Sequence, residues 1–307
     1  MQTSRTDLAE SLASLLTEQR NPASMDLDLL GVEDALRLIN AQDKLVPVAV
    51  EREIPHIARA VELVVEALRS GGRLIYAGAG TSGRLGIVDA SECPPTFGTD
   101  PTMVQAIIAG GNAAVFRSQE GAEDNEARAR EEIDAMHVGP KDVVCGIAAS
   151  RRTPFVVSAV ARARERGAKT LYVTTNPRED FNLEVDVAMC PEVGPEVLMG
   201  STRMKSGTAQ KLVLNMLTTT AMIRMGKVYE NMMVDLQLTN TKLVERSKRI
   251  LMIATGVDYD TAAEYLMKAG GHVKTGIVMI VAKVSKEEAR RRLEQAGGFV
   301  RLAIAGR

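Results

Sequence analysis

Five short apolar runs punctuate the middle of the chain: Leu74-Ile75-Tyr76-Ala77, 103–109 (MVQAIIA), 143–149 (VVCGIAA), 170–175 (TLYVTT) and 185–190 (VDVAMC). Apolar residues at helical spacing fill 82–91, 118–136 and 153–166, between the first four runs. Strands that are apolar on both faces and alternate with helices predict a parallel sheet covered on each side. The expected class is therefore α/β, a doubly wound five-stranded parallel sheet.

Helical patterns flank this region. Residues 5–19 and 33–70 carry apolar positions at helical spacing, and Val46, Val48, Val50, Ile54, Ile57, Ala58, Val61, Leu63, Val64 and Leu68 form one broad face that stops at Ser70-Gly71-Gly72. After a loop at 191–200, a long helix is predicted over 201–226 and more helix through 231–253. Asp258–Ala269, Lys274–Val284 and Lys286–Gly297 read as three short helices between glycines, with Asp258 as an N-cap and Ser285 with Glu288 as a capping box. The expected organisation is a helical segment over 1–58, an α/β domain over 59–240 and a helical module over 241–307.

The first turn after a strand carries the clearest chemistry. Gly78-x-Gly80-x-x-Gly83 follows a predicted strand and opens a predicted helix, the context of a dinucleotide fingerprint. That fingerprint also needs an acidic residue about 20 positions on to hold a ribose, and Gly110-Gly111 stands there instead. Nucleotide binding is thus only an alternative. Backbone N–H groups at a helix start, the hydroxyls of Thr81 and Ser82 and the charge of Arg84 suit a single phosphate monoester; the bland alternative is a tight turn that needs glycines. A second loop, Ser150-Arg151-Arg152-Thr153-Pro154, again opens a helix, and two such loops are expected to border the crevice where strand order reverses. Simple N-capping by Ser150 and Thr153 is compatible with the same geometry.

Composition narrows the partners. Charges balance to a net of -1, aromatics are 3% and Trp is absent, so neither the basic excess nor the stacking platforms of a nucleic-acid binder are present. Cys93, Cys145 and Cys190 lie far apart and His56, His137 and His272 lack ligand spacing, so no disulfide framework and no metal site is expected. No run of about 18 apolar residues occurs and the start lacks a signal-peptide core, which reads as a cytoplasmic chain without membrane partners. The substrate is expected to be small.

Two carboxylates stand near these loops. Glu92 falls at the end of the helix that the first loop starts, just before Cys93-Pro94-Pro95, which is expected to stop that helix sharply and leave Glu92 partly buried. Glu123, in Ser118-Gln119-Glu120-Gly121-Ala122-Glu123-Asp124, falls at the start of the next helix, where acids are common simply because they complement the helix dipole, and from spacing alone Glu120 and Asp124 rank equally with it.

The stretches AGAGTSGRLGIVDASECPPTFG at 77–98, GAED at 121–124, GSTRMKSGTAQKLVLNM at 200–216 and GGHVKTGIVM at 270–279 resemble N-acetylmuramic acid 6-phosphate etherases. The resemblance runs from RNPASMDLDLLG near residue 20 into the C-terminal module. It implies a sugar isomerase (SIS) domain with a flavodoxin-like sheet, in a homodimer whose sites lie at the subunit interface. It also implies cleavage of the D-lactyl ether to N-acetylglucosamine 6-phosphate and D-lactate, within bacterial cell-wall recycling and without a cofactor. On this resemblance Glu92 is the proton donor and Glu123 the second catalytic carboxylate, a candidate C2 base. Thr81, Ser82, Ser150 and Thr153 become phosphate contacts, with Arg84, Lys205 and His272 as lesser substrate candidates. Opening the sugar ring makes the C2 proton acidic and the C3 lactyl oxygen a β-leaving group, so one carboxylate base and one carboxylic acid kept protonated by burial suffice.

Two residues depart from the family pattern: Arg151 stands where glycine is expected and Ser206 where alanine is expected. The competing functions are a sugar-phosphate aldose–ketose isomerase, which abstracts the same proton, and a phosphosugar-sensing regulator, since SIS domains such as that of the glucokinase regulatory protein bind without catalysis.

Overall fold

The computed structural model describes residues 15–236 and 241–306. The chain divides into two compact units, Met1–Ala90 with Thr102–Leu217, and Ser91–Pro101 with Thr218–Arg307.

In the first unit, the helix expected over 5–19 falls mostly outside the described residues, and Leu16–Glu18 forms a 3-10 turn. The stretch 33–70 forms three helices: α1 (Val32–Asp43), α2 (Leu45–Glu51) and α3 (Ile54–Arg69). Proline explains the breaks. Pro47 and Pro55 cannot donate to a preceding turn, so a helix restarts just ahead of each. Most of the expected apolar face is buried, but Val48 and Ile54 are each 49% exposed and Ala58 is exposed as well.

The five expected strands form one parallel sheet, β1 (Leu74–Gly78), β2 (Val104–Ile108), β3 (Val143–Ile147), β4 (Lys169–Val173) and β5 (Val187–Met189), in the order β2-β1-β3-β4-β5. Strand order reverses at β1. Gly78 pairs with Ile108 on one side and Ile147 on the other, so the loops after β1, β2 and β3 leave the sheet level with one another. The connecting helices are α4 (Gly80–Phe97), the single turn α5 (Ala113–Phe116), α6 (Glu126–Ala135) and α7 (Pro154–Glu165). Ile75, Ala77, Val144 and Tyr172 meet α6 and α7 on one face through Ile133, Phe155, Val156 and Val160. On the opposite face α3 lies against β1, β3 and β5, and Gly86 of α4 lies against Tyr76 and Ile147.

Two predicted boundaries move. Pro94 and Pro95 do not stop α4, which continues to Phe97, where the Gly98 N–H closes the last turn on the Pro94 carbonyl. Residues 118–121 are irregular and precede a 3-10 turn at Ala122–Asp124, so Glu123 sits ahead of α6 rather than in its first turn. The long helix α8 (Lys205–Arg224) is as expected. The buried Glu196 carboxylate caps it, accepting the Lys205 and Ser206 N–H groups at 2.9 Å each.

The second unit departs most from expectation. In place of helix from 231, a small antiparallel hairpin forms from β6 (Val228–Tyr229) and β7 (Met232–Met233), its turn carrying Glu230 at φ 55. The helices α9 (Thr241–Thr255), α10 (Tyr259–Lys268), α11 (Val273–Ala282), α12 (Lys286–Gln295) and α13 (Val300–Ala305) follow, the last unexpected. Asp258 and Ser285 cap α10 and α12 as predicted, accepting from Thr261 N and Glu288 N.

A buried ion cluster ties this unit together. Asp235 meets Lys274 at 2.6 Å, Lys227 at 3.1 Å and the His272 ring at 3.3 Å. Its carbonyl oxygen also lies 2.2 Å from where a Cβ on Gly98 would stand, a contact only glycine permits. Burial raises the Asp235 carboxyl, but the His272 bond and the Lys274 and Lys227 charges outweigh it and hold the group at about 2. A depressed carboxyl stabilises the fold above its unfolded value near 3.9 and loses that contribution as pH falls toward 2. Acid titration of unfolding is therefore expected to show about 2 kcal/mol lost between roughly pH 4 and 2. In denaturant melts, Asp235→Asn is expected to cost about 3–5 kcal/mol at neutral pH, because it leaves the buried Lys274 without its counter-charge.

Candidate active site

The three glycines of the first loop do different work. A Cβ on Gly78 would lie 2.6 Å from Gly83 Cα, and a Cβ on Gly83 would lie 2.6 Å from Ile108 Cγ1 and 2.9 Å from the Gly78 oxygen. These two are packing glycines that let α4 start directly against the sheet. Gly80 has φ 52 and nothing within 4 Å of its missing side chain. Its face is open, and the N–H groups of the first α4 turn have no carbonyl partners within the helix.

That open face lines a cavity of about 400 Å³ together with Ala79, Arg84, Ser118, Glu120 and Glu123. The turn after β1 and the turn before α6 thus bring Glu123 to the glycine loop. Glu120 shares the wall; Asp124 does not line it. Arg84 donates through Nε to the Val115 carbonyl and through a terminal nitrogen to Ala114, each at 2.8 Å. Two of its five donors are spent on α5, so Arg84 clamps the loop after β2 to the cradle as well as lining it.

Ser82 Oγ donates to Gln210 Oε1 of α8 at 2.9 Å, and a Cβ on Gly207 would stand 3.5 Å from Thr81 Cγ2. The α8 helix therefore backs the Thr81–Ser82 turn. In the second loop Thr153 occupies the N-cap of α7 but its side chain makes no capping bond, so simple capping does not account for it. Ser150 Oγ accepts from Arg152 N at 3.4 Å. Arg151 has φ 55, the left-handed backbone that favours the glycine expected there. Its guanidinium lies 3.6 Å from Asp180, in the turn after β4 and so on the side of β3 away from β1. Ser206 is fully buried and its hydroxyl accepts from Thr175 Oγ1 at 3.0 Å, which gives that departure a structural partner.

Three candidates sit differently from expectation. Lys205 is 1% exposed; its ammonium donates to the Val193 carbonyl at 2.8 Å and to Gln42 at 3.1 Å. Desolvation lowers its pKa, and the nearby Glu196 and Asp43 charges oppose that shift. Its bonds make it a scaffold cation for the 191–197 loop, and it is not among the residues lining the cavity. His272 belongs to the second unit, with its two ring nitrogens facing Thr275 and Asp235. Glu92 is exposed in the last turns of α4 rather than partly buried, and is not among the residues lining the cavity. Gln210 was not singled out in the sequence; its signal there is one polar residue between Ala209 and Val213 on the apolar side of a long helix.

A parallel sheet in this order, with a glycine and hydroxyl cradle at the switch point, defines an SIS-domain protein. The SIS domain family model matches 125–220, and the model of the glucokinase regulatory protein N-terminal SIS domain matches 56–164. A Bacteroides fragilis NCTC 9343 structure, provisionally described as a phosphosugar isomerase involved in capsule formation, has the same fold, at TM-score 0.51 and 20% identity, over 66% of this chain and 95% of its own. The chain belongs to the N-acetylmuramic acid 6-phosphate etherase family. It is 64% identical to the etherase of Salinibacter ruber over 97% of this chain and 96% of the relative, and 53% identical to that of Geobacillus sp. (strain WCH70) over 95% and 99%.

The glycine roles separate experimentally. Gly83→Ala is expected to lower the melting temperature by driving a Cβ into Ile108 and the Gly78 carbonyl. Gly80→Val, at a left-handed φ costing about 1–2 kcal/mol, fills the open face and is expected to raise KM at least about tenfold in steady-state assays.

Proposed function

We infer that the chain cleaves the D-lactyl ether of N-acetylmuramic acid 6-phosphate, giving N-acetylglucosamine 6-phosphate and D-lactate, the reaction of the family to which it belongs. The single observation that carries the residue assignment is the cavity that puts Glu123 on the same wall as Gly80 and Arg84.

In this reading the phosphate sits at the α4 N-terminus against Thr81 and Ser82, with Ser150 and Thr153 from the neighbouring loop. The opened sugar presents its C1 aldehyde and C2 proton. Glu123 takes that proton, the electron pair forms the C2–C3 double bond, and the lactyl oxygen leaves C3 with a proton from Glu92. Water then adds at C3 of the unsaturated aldehyde, C2 regains a proton, and the ring closes.

We further propose that the enzyme works as a homodimer, with Glu92 reaching the cradle of the other copy. The length of α4 supports this: twelve residues at about 1.5 Å each place about 18 Å of helix between Gly80 and Glu92, longer than one hexosamine phosphate. Exposed apolar side chains in the first unit, among them Leu29 at 78%, Val32 at 81% and Leu36 at 61%, suit a face between copies. A cytoplasmic place in cell-wall recycling fits three free, buried cysteines. Among the described residues no helix is long and apolar enough to cross a membrane.

Purified protein given N-acetylmuramic acid 6-phosphate is expected to release D-lactate without added metal or nucleotide. Tight sugar-phosphate binding with no lactate would favour the sensor function instead. Glu92→Gln is expected to abolish turnover while substrate affinity stays within about tenfold, because the lost interaction belongs to the transition state. In deuterated water that variant should still exchange the C2 proton, and Glu123→Gln should not; the reverse pattern would exchange the two roles.

A further inference from the structure

Gln210 carries an unusual imbalance. It is 1% exposed, its Oε1 accepts the Ser82 hydroxyl at 2.9 Å, and its Nε2 is buried without a hydrogen-bond partner. A buried orphan donor is costly and rare, and it calls for a role. Ser82 has one proton, and in this arrangement that proton goes to Gln210 rather than into the cradle. A phosphate dianion offers only acceptors, so the serine as it stands cannot donate to it.

We propose that Gln210 is a positioning residue that selects for phosphate by exchanging the direction of this bond. When a phosphate oxygen reaches the first α4 turn, the carboxamide turns over by half a rotation about its terminal torsion. Nε2 then donates to Ser82 Oγ, and the serine O–H turns to donate a hydrogen bond to the phosphate oxygen. The torsion is a soft sp³–sp² one with two near-equivalent wells, so the turn costs little. It also gives Nε2 a partner and leaves in its place an amide oxygen, which tolerates burial without a partner better than an N–H does. Gly207, one helical turn earlier on α8, lies beside Thr81, whose Cγ2 would stand 3.5 Å from a Cβ there, so the turn and the helix face that carries Gln210 are in close contact.

The proposal rests on the phosphate reading of the cradle above. The test titrates N-acetylglucosamine 6-phosphate into wild type, Ser82→Ala, Gln210→Met and the double variant by calorimetry, with steady-state kinetics alongside. Each single change is expected to weaken binding about tenfold, with KM rising more than kcat falls. The double variant should be no more than about tenfold weaker than wild type, because Gln210 acts on phosphate only through the serine hydroxyl that its Nε2 holds in place. Losses that multiply to about a hundredfold, or a silent Gln210→Met beside a weakened Ser82→Ala, overturn the role of Gln210 and leave the cradle intact. A silent Ser82→Ala, or no binding by wild type, overturns both. If Gln210→Met does not fold, Gln210→Glu serves: a carboxylate can only accept, so binding relative to wild type should be weakest at pH 8 and recover toward pH 5 as the carboxyl gains a proton to donate, the ligand phosphate's own ionisation at about pH 6 being common to both proteins. An unchanged pH profile overturns the proposal.

Discussion

Everything at the active site depends on one contact that excludes a side chain, the approach of Gly83 to Gly78. Because neither residue has a Cβ, α4 begins immediately beyond the C-terminal end of β1, so the N–H groups of its first turn lie at that end of the sheet. The register of β1 with β2 and β3 then sets the two neighbouring loops at the same height. A methyl group at either glycine would push the helix start out of line with both. The cradle is thus a property of backbone packing first, and of hydroxyls and charges second.

Around that contact, several groups that look like ligands in a linear reading act as scaffolding. Arg84 holds α5 by two carbonyls, which fixes the wall on which Glu120 and Glu123 stand. Lys205 and Glu196 bind the 191–197 loop to the start of α8, and α8 in turn backs the Thr81–Ser82 turn. Preorganisation of this kind matters because a phosphate anchor acts on catalysis only by fixing where the reacting carbon stands relative to the base.

Much of the fold was legible before any coordinates. All five strands, the reversal point, the Asp258 and Ser285 caps and the special character of both loops follow from apolar periodicity and turn chemistry. The misses have physical causes. The β6–β7 hairpin is too short, at two residues per strand, for alternation to show. The continuation of α4 through Pro94 and Pro95 costs hydrogen bonds that local rules count against it, and Gly98 settles against the Asp235 backbone, a partner distant in sequence. The Arg151 departure became intelligible only when its φ of 55 and its pairing with Asp180 were seen together.

By itself the sequence determined the class of the sheet, the place of the glycine turn at the switch point and, through long matching stretches, the family. These are encoded locally, in the period of apolar residues and in glycines whose backbone freedom no other residue supplies. Only the tertiary structure decided which polar groups face the cavity and which are consumed in holding it. That Glu123 lines the cavity, that Lys205 does not, and that Gln210 stands behind Ser82 depends on chain segments up to 163 residues apart, and no local propensity reports such pairings.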